Sequence, residues 1–280
     1  MRTIVIEGTL ETLAPIVHFG DEKTGSSPTL RTIPVYSPAD DAIIDLPVIS
    51  GNAIRGMLRR LVMADMLERV GYQLNSTKLH HALFTGGILE STDEASGVLD
   101  LALKNRVRER IPPLALFGTA LGNQMIRGCL IVEFAFPVCA ERREYLPPAL
   151  AADPRARRSV REWTAFSFKT RRDDLRAERA EDEQAVQMKV DYEHFVVGTL
   201  FSHRFVLIEP SALELSCFAH MLDLWRERPY VGGKAASGHG LLRVQYDCPA
   251  TADAYLSYLE SEQQSVRELL DEIGGKLGAF

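Results

Sequence analysis

The sequence predicts an α+β protein built on a ferredoxin-like (RRM-like) unit that carries a large insertion. Two observations predict the unit and a third the insertion. Alternating or β-branched runs at residues 3–10, 128–138, 195–208 and 241–246 read as strands. Apolar residues recur at helical spacing after Ser50 and again from Leu215 to Trp225. The resulting order is strand, helix, two strands, helix, strand, that of a split βαβ unit. A basic stretch at residues 140–192 interrupts it between the two central strands.

Taken in order, residues 3–10 form the first strand, and the Gly-, Ser-, Thr- and Pro-rich residues 20–41 a long loop. In "LPVISGNAIRGMLRRLVMADML" a strand end is followed by a Ser50 cap and a helix. Ile54, Met57, Leu58, Leu61 and Val62 fall on its buried side, which leaves Arg55, Arg59 and Arg60 to other faces. Leu215, Phe218, Met221, Leu222 and Trp225 give the second helix its apolar stripe. The last strand follows the glycine-rich turn "PYVGGKAASGHGLLRVQY".

That turn is tested first as a nucleotide cradle, because glycine-rich turns leave N–H groups free for phosphate oxygens. A P-loop needs Gly where Arg228 stands and Ser or Thr where Ala235 stands. A dinucleotide fingerprint from Gly238 would put its third glycine at Arg243. Both spacings fail, and a simple β-turn with glycines supplying positive φ remains open.

The chain has 280 residues, of which 46% are hydrophobic and 25% charged, enough for a sizeable core. The formal net charge of −6 argues against a surface that attracts nucleic acid everywhere, but not against a local basic groove. Residues 142–179 hold eleven Arg or Lys against six Asp or Glu, a local excess of five positive charges. Such a run is often only a solvated face, yet Trp163, Phe166 and Phe168 among the arginines suit base stacking. Cys129, Cys139, Cys217 and Cys248 form no CxxC pair, so neither a zinc site nor a disulfide framework is expected, and no cofactor. Buried thiols and the lack of a long apolar run point to a cytoplasmic protein without a membrane partner.

Three motifs in this order, "LPVISGNAIRGMLRRL", "LFGTALGN" (residues 116–123) and "YVGGKAASGHGLLRV", resemble the RAMP superfamily of CRISPR-associated proteins. The resemblance spans nearly the whole chain. It is to the backbone subunit that multimerises along guide RNA in type III and type IV effector complexes, type IV being preferred. It implies one hand-shaped domain over residues 1–280: a palm, plus a β-hairpin thumb within the insertion, from "FSFKTRRDD" to "VQMKVDYEHF". It also implies as partners CRISPR guide RNA, neighbouring copies in a helical filament, other effector-complex subunits, and target nucleic acid paired with the guide.

By the same resemblance the RNA-binding residues are Ser50, Asn52, Arg55 and Arg59 of the first helix and its turn, and Gly232, Gly233, Lys234, Ser237, Gly238 and His239 of the glycine loop. Lys169, Arg171, Arg172 and Lys189 are those of the thumb, with Met188 a wedge or a packing residue. Ser50 could only cap its helix, Arg55 or Arg59 could form surface ion pairs, and His239 could be a turn residue. The alternative is a RAMP-type endoribonuclease that processes guide RNA, with His18 for acid–base chemistry on a 2′-OH, or one that cleaves target RNA. Type III backbone subunits cleave target with a loop aspartate. Aligning their Pro-Val strand with "IPVY" puts Arg31 or Thr32 there, neither of which can act so, which leaves a non-catalytic subunit unless Asp21, Asp40 or Asp41 substitutes.

Overall fold

The computed structural model describes residues 2–24, 27–87, 100–122, 124–171 and 188–278; for residues 21–24, Arg171 and Met188 it describes the backbone alone. β1 (Thr3–Thr12) is followed by two hairpins, β2 (Phe19–Thr24) with β3 (Ser27–Leu30) and β4 (Thr32–Ser37) with β5 (Ala42–Pro47). Helix α1 (Gly51–Arg69) leads to α2 (Thr77–Phe84), α3 (Leu101–Arg110), α4 (Pro112–Phe117) and the hairpin of β6 (Gly118–Leu121) and β7 (Gln124–Arg127). β8 (Leu130–Val132) and β9 (Phe136–Pro137) come next, then α5 (Pro148–Ala152) among short 3-10 turns. A hairpin of β10 (Thr164–Arg171) and β11 (Met188–Phe195) follows, then β12 (Leu200–Ile208), α6 (Ala212–Glu227), β13 (Leu242–Tyr246), α7 (Asp253–Ser261) and α8 (Gln263–Gly278).

The palm sheet runs β13-β1-β12-β8, with β9 also on β12 and every pair antiparallel. With α1 after β1 and α6 after β12, this is the ferredoxin-like split βαβ arrangement. Register sets its faces. Ile4, Ile6 and Leu10 of β1 lie opposite Leu207, Phe205 and Phe201 of β12, and the two helices cover that side. Ser50 caps α1 by accepting from Ala53 N–H at 3.2 Å, and Ile54, Leu58, Val62 and Met66 repeat every four residues into the core. Ser211 and Glu214 form a capping box that starts α6, whose Phe218, Met221, Leu222 and Trp225 are buried.

Residues 20–41, expected as a loop, instead supply strands β2 to β4, because each run is short and carries a Gly or Pro (Gly20, Pro28, Pro34), the residues by which loops are read. The strand expected at 128–138 is broken into β8 and β9. Between them Ala135 turns away from β12 and bridges Ile49, just before α1. The stretch expected as one strand from Phe195 is also two elements, since β11 ends at Phe195 and Gly198 takes a φ of 89° before β12. In the insertion, residues 140–163 form 3-10 turns and α5, and the β10–β11 hairpin begins only at Thr164. Cys129, Cys139 and Cys217 are buried free thiols, while Cys248 is half-buried. Among the described residues, no helix is long and apolar enough to cross a membrane.

One buried histidine pins the sheet. His203 Nε2 lies 3.1 Å from the Glu133 carbonyl, which can only accept, so Nε2 carries the proton and Nδ1 receives the Tyr246 hydroxyl at 2.7 Å. Burial lowers the His203 pKa to about 4, so the folded protein resists protonating it. The unfolded chain binds that proton near pH 6.5, so the stability this residue supplies is complete above pH 6.5 and is lost as pH falls towards 4. A shift of this size corresponds to about 3 kcal/mol. Urea unfolding at pH 7.5 and 4.5 should therefore show His203→Gln losing about 2.5 kcal/mol less than wild type on acidification. Equal losses would contradict the assignment.

Candidate nucleic-acid interface

Three parts of the chain meet at the end of the palm through hydrogen bonds to residues 15–18. Gly240 N–H donates to Pro15 O at 2.9 Å, and Gly233 N–H to Val17 O at 2.8 Å, which seats the glycine loop. Ile16 exchanges bonds with Phe195, at 3.1 and 2.9 Å, which seats the base of the β10–β11 hairpin. His18 Nε2 receives the Ser50 N–H at 3.1 Å, which seats the start of α1. Gly232 has a φ of 79°, and a side chain there would collide with Val17 O, so the approach requires glycine.

These contacts enclose a groove of about 340 Å³ lined by His18, Phe19, Ala53, Met57, Arg60, Tyr230, residues 231–233 and Lys234. Arg60 is exposed and has no ion pair among the described residues. Lys234 takes a left-handed φ of 60°, and its Nζ lies 3.0 Å from the Tyr192 ring centroid and 5.5 Å from that of Phe19. Burial, and then the nearby Lys169, lower its pKa. The N–H groups of Lys234, Ala235 and Ala236 have no partner among the described residues, whereas those of residues 237–239 close the 3-10 turn. Exposed amides beside unpaired cations are groups that hold phosphate oxygens.

The predicted residues divide. Gly232, Gly233 and Lys234 line the groove, while Ser237 and Gly238 are exposed on the same loop. Asn52 is exposed on the first turn of α1. Register puts Lys169 on the hairpin face that carries Tyr192, towards the glycine loop. Lys189 lies on the other face, 3.3 Å from Asp191 and 4.8 Å from the Phe168 ring centroid, where Phe166 and Phe168 are also exposed. The side chains of Arg171 and Met188, and all of Arg172, lie outside the described residues.

Four of the predicted residues are engaged within the protein. Arg59 is buried, with its guanidinium bonded to the carbonyls of Leu83, Ala82 and Gly118 at 2.5, 2.9 and 2.9 Å. Arg55 donates to Phe117 O, and both guanidinia lie over the Phe117 ring. These two arginines therefore hold the Leu-Phe-Gly turn, Arg59 from a buried position and Arg55 from a half-buried one. Burial, with Arg55 adjacent, lowers the Arg59 pKa to about 10, so it stays charged at neutral pH. Ser50 is buried and its hydroxyl caps α1 beside His18 Nε2, at 3.1 Å. His239 Nδ1 donates to Ser237 O at 3.0 Å, so its Nε2 accepts from the Tyr192 hydroxyl at 3.1 Å, which fastens the loop to the hairpin base.

Sequence reasoning missed Phe19, Arg60, Tyr192 and Tyr230. Arg60 was legible in principle, because Ala53, Met57 and Arg60 share one helical stripe. The larger cavity, about 690 Å³, lies across the outer sheet face, where Glu7, Glu133 and Glu144 oppose Arg142 and Arg204. That charge balance disfavours phosphate, and the cavity holds none of the predicted residues.

No protein-family profile and no curated protein matches this chain. Among solved structures it is similar to a chain from a structure titled "Type IV-B CRISPR Complex", with a TM-score of 0.63 and 20% identity. The match covers 88% of this chain and 92% of that one, and it establishes a shared fold.

The division of the arginines is testable by chemical denaturation. Arg59→Met orphans buried carbonyls and should cost about 3 kcal/mol or more. Arg60→Ala should stay within about 0.5 kcal/mol of wild type. Comparable losses for the two would contradict the division.

Proposed function

We propose that the chain is a RAMP-type, guide-RNA-binding backbone subunit that multimerises along CRISPR RNA in a type IV surveillance complex. The observation that carries this reading is the convergence of the glycine loop, the start of α1 and the hairpin base on one groove with Arg60, Lys234 and open amides. The groove is cationic although the chain as a whole is at −6, which suits a local nucleic-acid track. The β10–β11 hairpin serves as the thumb, and the fold shared with a chain of a CRISPR complex supports the same reading. Recognition runs through the backbone of RNA, so target choice lies with the guide.

Binding to single-stranded RNA should show little sequence preference and should weaken with salt, by about 0.7 log units per log unit of salt for each phosphate neutralised. Arg60→Ala, Lys169→Ala and Lys234→Ala should each reduce that slope by about one phosphate equivalent. Electron microscopy with RNAs of graded length should show particles whose length follows the RNA, because a head-to-tail contact does not close on itself. Salt-independent binding, or particles of fixed size, would contradict the proposal.

The subunit binds target without cutting it. His18 is a poor acid–base group here, since Nε2 is occupied by Ser50 and burial, then Arg31, lower its pKa. Asp40 receives the Ser37 hydroxyl and Asp41 the Tyr36 hydroxyl, both at 2.7 Å, so both carboxylates serve the β4–β5 turn. Assembled complex incubated with complementary labelled RNA and a divalent metal ion should leave the RNA whole. Regularly spaced cuts, abolished by replacing Asp21, Asp40 or Asp41, would overturn this.

A further inference from the structure

We propose that Tyr192 is a positioning residue that fixes the Lys234 ammonium at the mouth of the groove and couples the thumb base to the glycine loop. The inference rests on the RNA-binding reading above for its functional meaning, while its structural content stands on the free protein. Two features independent of each other carry it.

The first is the geometry around the phenol. Tyr192 is 6% exposed at the base of β11, with its ring against Phe19 and its hydroxyl on His239. The ammonium sits over one face of that ring, 3.0 Å from its centroid. A lysine has a flexible four-carbon stem, and an ammonium without an ion pair would ordinarily sample many positions. The π-face holds it electrostatically, and the remaining N–H bonds are left for a ligand oxygen. The conformational entropy of placing the cation is lost on folding and not on binding RNA.

The second is the backbone of Lys234 itself. A φ of 60° is costly for a residue with a side chain and nearly free for glycine. Gly232 and Gly238, at φ of 79° and 78°, show that the same loop uses glycine at its other left-handed positions. Strain accepted at Lys234 therefore indicates that its side chain is used. The same strained residue accepts from Ser237 N–H at 2.9 Å and from His239 N–H at 3.3 Å, so the loop that His239 fastens to Tyr192 is wound around it.

The test compares Tyr192→Phe, Tyr192→Leu, Lys234→Gly and the Tyr192→Leu/Lys234→Gly double variant. In the free protein, the Lys234 side-chain methylene resonances should show an upfield ring-current shift that survives Tyr192→Phe and disappears in Tyr192→Leu. With a uridine 30-mer as probe, Tyr192→Leu and Lys234→Gly should each weaken binding about tenfold, Tyr192→Phe by less than about threefold, and the double variant no more than either single one. Lys234→Gly should bind worse while unfolding at the same or a higher temperature, which a purely structural lysine would not do. A shift absent from wild type, or additive losses in the double variant, would overturn the proposal. If the wild type binds no RNA, the RNA-binding reading fails, and the ring-current comparison alone decides whether Tyr192 holds Lys234.

Discussion

Hydrogen bonding at residues 15–18 is the constraint on which the rest of the site depends. Within four residues the chain receives the glycine loop at Pro15 and Val17, the base of the β10–β11 hairpin at Ile16 and the cap of α1 at His18. Ile16 and Val17 are buried, so these bonds are shielded from competing water. The groove needs such a frame because its own charges oppose it. Burial, and then the neighbouring Lys169, lower the Lys234 pKa, and among the described residues no carboxylate lines the groove to balance these cations. Hydrogen bonds hold the cations together, and a polyanion would relieve the repulsion.

The arginines of α1 show how burial decides the role of a residue. A guanidinium cannot be taken out of water without acceptors, and the turn from α4 into β6 supplies them as backbone carbonyls. Arg55 and Arg59 thereby join the first helix to the Leu-Phe-Gly turn over the ring of Phe117. Two of the three motifs that look like RNA-binding elements in the sequence thus owe much of their composition to each other. Only Arg60, one residue further round the helix, reaches the groove.

The palm was legible because its strands alternate and its helices repeat with little interruption, as the register of β1 on β12 and the buried stripe of α6 bear out. The hairpin within the insertion was legible through the resemblance, and the glycine loop through its composition. Less could be read where structure depends on distant partners. Helical periodicity placed Arg59 away from the apolar stripe, but its acceptors come from α2 and from the turn before β6, which no local pattern announces. Between α1 and β8 the described residues include α2, α3, α4 and the β6–β7 hairpin, which the sequence reading left unassigned, as it did α7 and α8. Tyr192 stands among charged residues in a run that reads as solvated, and only the fold shows it buried between Phe19, Lys234 and His239.

Ultraviolet crosslinking of the protein to single-stranded RNA, with the attachment sites read by mass spectrometry, addresses the location of the RNA track most directly. The groove account predicts adducts on Phe19, Tyr230 and residues 232–239, with a second set on the face of the β10–β11 hairpin that carries Lys169. Adducts confined to Phe134, Phe136 and Tyr145, which line the cavity on the outer sheet face, would contradict it.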